Sequence, residues 1–128
     1  MSEPIVFISH HRIKEGKLDG FKQFSPGVME QIEASKPGTV AFLGYFNEDG
    51  TEVSFIHVFP DAEAMDLHVE GAGERSKKAY EFIEPQAFEI YGRPSDQVLE
   101  MMKQATGPGA ALIVQPQLLG GYLRLKPG

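Results

Sequence analysis

No cysteine and no tryptophan occur among the 128 residues. Without Cys there is no disulfide, thiolate nucleophile, iron–sulfur cluster or thiolate-bound zinc. The glycines, though many, do not fall in the spacing of either common phosphate-cradling loop. Positive charge is scarce: 12 Lys and Arg against 18 Asp and Glu give a formal charge of -6 with His neutral. Nucleic acid calls for the opposite balance, so no nucleic-acid partner is expected. The longest apolar run, near Ala110–Val114, is far too short to span a bilayer, and no membrane partner is expected. Met1-Ser2-Glu3-Pro4 lacks the basic start of a signal peptide, and a cytoplasmic location is expected.

What is present reads as one globular unit. Hydrophobic residues make up 41% and charged residues 23%, and the length suffices for a buried core. Ile5–Ile13 is β-branched and apolar at its start and reads as a strand. Lys17–Lys36 has helical periodicity, with Leu18, Phe21, Val28 and Ile32 on one face. Ser25-Pro26-Gly27 predicts a kink or restart within it, because proline removes a donor and clashes with the preceding turn. Thr39–Phe46 and Thr51–Phe59 read as a hairpin around the turn Asn47–Gly50. In the second of these strands Val53, Phe55, His57 and Phe59 share a face.

Pro60-Asp61 opens a second helix with Asp61 as its cap; Ala64, Met65, His68 and Ala72 fall on one side. Gly71-Ala72-Gly73 should break it, with Glu74–Ile83 as a further segment, and Glu84–Tyr91 reads as a fourth strand. The order βαββαβ is that of a ferredoxin-like α+β fold with a four-stranded antiparallel sheet over residues 1–94. Residues 95–128 form a C-terminal helix and strand extension too small for its own core. In it, Ser95 or Asp96 caps a helix through about Ala105, Gly107-Pro108-Gly109 is a loop, Ala110–Pro116 is left unassigned, and Leu118–Leu125 is the expected fifth strand.

All four core strands are apolar on both faces, whereas a sheet with one wet face should alternate. The face away from the helices therefore needs a cover. A second copy of the chain is expected there, with the extension in the dimer interface.

Two stretches carry a resemblance: Pro37-Gly38-Thr39-Val40-Ala41-Phe42, and His57 through His68 with Asp61, Ala64 and His68 in a D-x-x-A-x-x-x-H run. Over about Ile5–Arg93 the chain resembles the antibiotic biosynthesis monooxygenase family of the dimeric α/β-barrel superfamily. It departs where many members carry Glu, here His57, and where an aromatic of strand three is often Trp or Tyr, here Phe59. The missing Trp, with Ser76-Lys77-Lys78 late in helix two, counts against the haem-degrading relatives. The resemblance implies a cofactor-independent monooxygenase, with no metal and no flavin. Such a protein oxidises a phenol or quinol with O₂ after removing a phenolic proton in an apolar pocket between sheet and helices. Two other classes stay open: a non-catalytic module binding a small hydrophobic metabolite, and an isomerase or lyase of the same superfamily with a His base.

The four histidines are the groups that titrate near neutrality unperturbed. His57 and His68 are the expected catalytic residues, as proton acceptors or hydrogen-bond partners of the substrate; the structural alternative for His68 is a hydrogen bond that ties helix two to the sheet. Tyr45, Phe59, His10, Phe42 and Tyr91 are the expected substrate-binding residues. His10 and His11, adjacent on a strand, must face opposite sides, one toward the helices and the other toward a partner subunit or strand end, and a strand-end or interface polar contact is the leading reading for both. No ligand spacing such as H-x-H supports a metal site.

Overall fold

In the computed structural model, described over residues 3–106 and 110–124, strand β1 (Ile5–Ile13) lies at the centre of the sheet. Its odd-numbered residues are buried and its even-numbered ones are less so, as the period of a strand requires. Helix α1 (Leu18–Ser35), the hairpin of β2 (Ala41–Phe46) and β3 (Glu52–Phe59), helices α2 (Ala62–Val69) and α3 (Ala72–Ala79), and β4 (Ile83–Tyr91) follow. The chain ends in α4 (Asp96–Thr106) and β5 (Ala111–Gln115). The strand order is β2-β3-β1-β4-β5. The first four strands pair antiparallel in the ferredoxin-like order, and β5 adds to β4 in parallel.

The expected restart in α1 does not occur. The helix is continuous across Pro26, and the Ser25 hydroxyl donates to the carbonyl of Phe21 one turn back. Phe21 before the proline and Ile32 after it are both buried, so packing on the sheet overrides the lost backbone bond. Asp61 caps α2 as its sequence position predicts, its Oδ1 accepting from the Ala64 amide at 2.8 Å. The break between α2 and α3 falls at Gly71, whose φ of 79° is open to glycine at little cost.

The extension differs from its expected form. The fifth strand is Ala111–Gln115, within the unassigned segment, whereas Leu118–Arg124 is not a strand; Leu125 and the loop Gly107–Gly109 lie outside the described residues. The crossover through α4 explains this. It returns the chain parallel to β4, so Phe88 pairs with Leu112 and Ile90 with Val114, and the free edge is used up before residue 118. Val98 and Met102 of α4 join Ile5, Phe7, Phe59, Met65, Phe88 and Ile90 in one core cluster. A second cluster, Ile13, Phe21, Val53 and Ile83, lies further along β1. No helix among the described residues is long and apolar enough to cross a membrane.

Among the described residues, no helix lies on the other face of the sheet. Leu43 and Tyr45 of β2 and Ile113 of β5 are exposed there. His10 shares this face, its Nδ1 2.7 Å from Ser54 Oγ and its Nε2 against Glu89, which also accepts from the Tyr91 hydroxyl.

Candidate functional site

Between the helix-covered face and α1, α3 and α4 lies a cavity of about 430 Å³. Its walls draw on both core clusters: Phe7, Phe88 and Met102 from one, Phe21 and Ile83 from the other. Three histidines, His11, His57 and His68, are the titratable imidazoles of this wall, and Arg75 lies among the lining residues.

Register places His57. It lies on β3 between Phe7 of β1 and Phe42 of β2, its cross-strand partners. Its ring stacks on both, with centroids 4.7 Å apart in each case. Nδ1 donates to the Phe7 carbonyl at 3.0 Å. That bond fixes the neutral tautomer and leaves Nε2 as an acceptor. Burial lowers its pKa from 6.5 to about 3; charge on His68 pushes the same way, the Phe7 carbonyl opposes, and Arg75 adds a smaller push downward.

His68 comes from α2, seven residues past the Asp61 cap. Its Nδ1 lies 2.7 Å from Thr39 Oγ1, which ties the helix to the loop before β2. Its ring meets the edges of Phe59 and His57, each at a centroid distance of 5.2 Å. Burial, then the charges of Arg75 and Lys36, bring its pKa to about 4. Arg75 of α3 donates from Nη2 to the His68 carbonyl at 2.6 Å and from Nη1 to the Glu70 carbonyl at 2.9 Å. It therefore secures the end of α2 while holding a positive charge beside both imidazoles.

His11, on β1, is 6% exposed, and its Nδ1 has no hydrogen-bond partner. Its neighbours are aromatic: Phe55, Tyr80 and Phe88, with centroids 5.7, 6.3 and 6.4 Å away. Burial first, then the charges of His57 and His10, lower its pKa to about 4. All three imidazoles are thus neutral at pH 7.

The expected site residues divide by strand parity. His57, His68 and Phe42 meet at the cavity. Phe59 is fully buried and supports both histidines from behind without lining the space. Tyr45, His10 and Tyr91 stand on the opposite face of the sheet, outside this cavity, because each is at odd spacing from an inward residue of its own strand. His11, expected as a strand-end or interface contact, lines the cavity as well. The signal for it was present: it continues Ile5, Phe7 and Ser9 on the buried face. Among the described residues no group of three or more His, Asp or Glu could hold a metal ion.

No family model matches the sequence. None of the curated proteins matches it either. Solved structures do. MupZ from Pseudomonas fluorescens superposes with a TM-score of 0.70 at 19% identity, over 94% of this chain and 91% of that one. SnoaB from Streptomyces nogalater, a cofactor-independent oxygenase, superposes at 0.59 and 13% identity, over 73% of this chain and 96% of its own. A Nitrosomonas europaea protein assigned to the antibiotic biosynthesis monooxygenases gives 0.61 at 22% identity, over 73% and 92%. This chain has the antibiotic biosynthesis monooxygenase fold. SnoaB and the Nitrosomonas protein are almost wholly covered while about a quarter of this chain stays outside the match; MupZ leaves little of either chain unmatched.

Proposed function

We propose that the cavity binds a small aromatic phenol or quinol and that the protein promotes its oxidation by O₂ without a cofactor of its own. The observation that carries the reading is the pair of neutral, perpendicular imidazoles of His57 and His68, stacked among Phe7, Phe42 and Phe59, with Arg75 nearby in the cavity wall. The likeness to a cofactor-independent oxygenase supports it at the level of fold.

Proton affinity shapes the mechanism. A phenol titrates near 10, and these imidazoles near 3 and 4 in the empty site. Full transfer of a proton would cost roughly 8 kcal/mol to His68 and nearly 10 to His57 if nothing else changed. Two things change when a phenol binds. The developing phenolate is an anion beside the imidazole, which favours the imidazolium. Arg75 supplies positive charge where the anion forms. His57, with Nε2 free as an acceptor, is the first acceptor of the proton, and His68 the hydrogen-bond partner that orients the ring. The phenolate, richer in electrons than the phenol, then reduces O₂.

The low proton affinity also favours a second reading, in which the same groups only hydrogen-bond a hydrophobic metabolite. Oxygen uptake with a panel of substituted hydroquinones separates the two. Uptake that falls on His57→Ala and His68→Ala supports the oxygenase. Binding without uptake leaves the module, and turnover without oxygen consumption points to a His-based isomerase or lyase. The proposal extends to assembly. A second copy would cover the helix-free face at Leu43, Tyr45 and Ile113, with residues 95–128 contributing to the interface.

A further inference from the structure

The proposed chemistry leaves one buried histidine of the cavity unused. His11 shares its strand face with Phe7 and Ser9, and all three line the cavity. Its Nδ1 is the one buried side-chain nitrogen or oxygen without a hydrogen-bond partner among the described residues. Such an atom gives up its water and recovers nothing, so native structures rarely leave one. Its place in the fold is also irregular. The β1–β4 ladder shifts between His10 and His11, so that His10 pairs with Ala87 and His11 with Pro85, and Gln86 is bulged out. Pro85 has no N–H, which suits it to the bulge. The orphan nitrogen therefore lies beside a local departure from regular pairing, where bulges commonly re-aim a side chain.

The position of His11 matters more than its isolation. His57 pairs with Phe7, and His11 is four residues further along β1, roughly 13 Å at about 3.3 Å per residue. The Phe7 ring stands beside His57, those of Phe55 and Phe88 are beside His11, and Ser9 lies between Phe7 and His11 on β1; all line the cavity. The Tyr80 ring, 6.3 Å from that of His11, also lines the cavity and brings a hydroxyl that can donate and accept. Apart from the Ser9 hydroxyl, the wall between these two polar ends is largely aromatic.

We infer that the cavity selects an elongated, mainly apolar ligand with a hydrogen-bonding group at each end, and that His11 with Tyr80 anchors the end remote from His57 and His68. The inference rests on the reading above for the first of those ends. A neutral imidazole carries one donor and one acceptor, so a hydroxyl or carbonyl suits it better than a charged group. A half-turn about Cβ–Cγ exchanges Nδ1 with Cδ2, and a bond from the ligand can set which nitrogen meets it.

Calorimetric titration with 2-naphthol and 2,6-dihydroxynaphthalene at pH 7 tests this, since the two differ only in the second polar end. The wild-type chain should bind the diol about tenfold tighter, beyond the roughly twofold that its symmetry alone confers. In His11→Phe the ratio should fall to about twofold while the 2-naphthol affinity stays within about threefold. His11→Gln, which keeps a donor and an acceptor, should retain part of the preference, and Tyr80→Phe should lose part of it. Circular dichroism melts accompany each variant; if His11→Phe does not fold, the Gln and Tyr80 variants decide. A wild-type ratio of about twofold, or a preference that survives in the His11 and Tyr80 variants, overturns the inference. Binding of 2-naphthol with no preference for the diol overturns it alone. Failure of both compounds to bind overturns it together with the reading of the cavity.

Discussion

The imidazole of His68 stands at 83° to that of His57, their centroids 5.2 Å apart, with one ring delivered by a helix and the other by the sheet. Two separate anchors hold this arrangement: Thr39 Oγ1 on His68 and the Phe7 carbonyl on His57. The two anchors are not equivalent. Thr39→Val removes one hydrogen-bonding group, and should loosen His68 without touching His57. Under the proposed oxygenase, its turnover should fall by less than that of His68→Ala. A single positioned acid–base group contributes about 10²- to 10⁴-fold, which sets the ceiling for the His57 and His68 variants. Steady-state oxygen consumption on one hydroquinone measures all three. A Thr39→Val turnover as low as that of His68→Ala would show the hydroxyl to be more than an orienting partner.

His57→Phe should keep the stack with Phe7 and Phe42 but remove the imidazole bond to the Phe7 carbonyl, which stays paired in the β1–β3 ladder. The loss is that of one hydrogen bond, about 0.5–1.5 kcal/mol, so the variant should fold and unfold at lower denaturant. Urea titration of wild type and variant gives the difference. Equal midpoints would mean that the imidazole bond adds nothing to stability.

The three buried histidines make stability depend on acid. His11, His57 and His68 titrate near 4, 3 and 4 when folded, against 6.5 when free. Because the folded values are depressed, the unfolded chain binds more protons below 6.5. The neutral, buried state therefore contributes fully above about pH 6.5 and loses ground as pH falls toward 4. Each group adds at most about 1.4 kcal/mol per pH unit across that window. Urea midpoints measured from pH 8 to pH 4.5 should hold steady at first and then decline. A midpoint that rises on acidification would contradict the burial of these rings.

Arg75 tests the electrostatics separately. Its charge is the second cause, after burial, of the low His68 value, and a smaller one for His57. Arg75→Gln should raise the His68 pKa, and that of His57 by less, as read from imidazole proton shifts. Loss of the bonds to the His68 and Glu70 carbonyls should cost on the order of 1 kcal/mol, because both lie partly in water. Under the proposed mechanism, phenolate binding should weaken more than binding of the neutral phenol. Equal weakening of both would leave Arg75 as a fastener of α2 alone.

Sequence patterning was informative wherever one local rule dominated. The Asp61 cap, the break at Gly71 and the βαββαβ order each follow from near neighbours in the chain. The errors arose where a distant partner decides. Pro26 stays inside a helix because Phe21 and Ile32 are held on the sheet. Ala111–Gln115 becomes a strand because α4 returns the chain to the free edge of β4, which no periodicity within five residues announces. Site residues were lost to parity. Phe42 and Tyr45 are three apart on one strand and cannot share a face, so a pocket containing the first excludes the second. By the same count His11, not His10, follows Phe7 inward.

Parity also gives the last prediction. The residues that it turns away from the cavity lie on the face without helices, where Leu43 and Ile113 are each nearly half exposed and Tyr45 more than half. Beyond β5, Leu119 and Tyr122 are largely exposed in an extended segment without secondary structure. Single exposed apolar residues are ordinary, whereas a row of them across a sheet face marks a contact surface. Homodimer formation through this face would bury them. A carboxylate at Leu43, on the edge strand β2, would be buried without a partner in each copy, so one substitution places two unpaired charges in the contact. Leu43→Glu should therefore convert a dimer to a monomer in light scattering at micromolar concentration, whereas Leu67→Glu, an equally exposed position on α2, should not. A wild-type chain that scatters as a monomer would remove the dimer, and the two-sided apolar sheet would then need another cover.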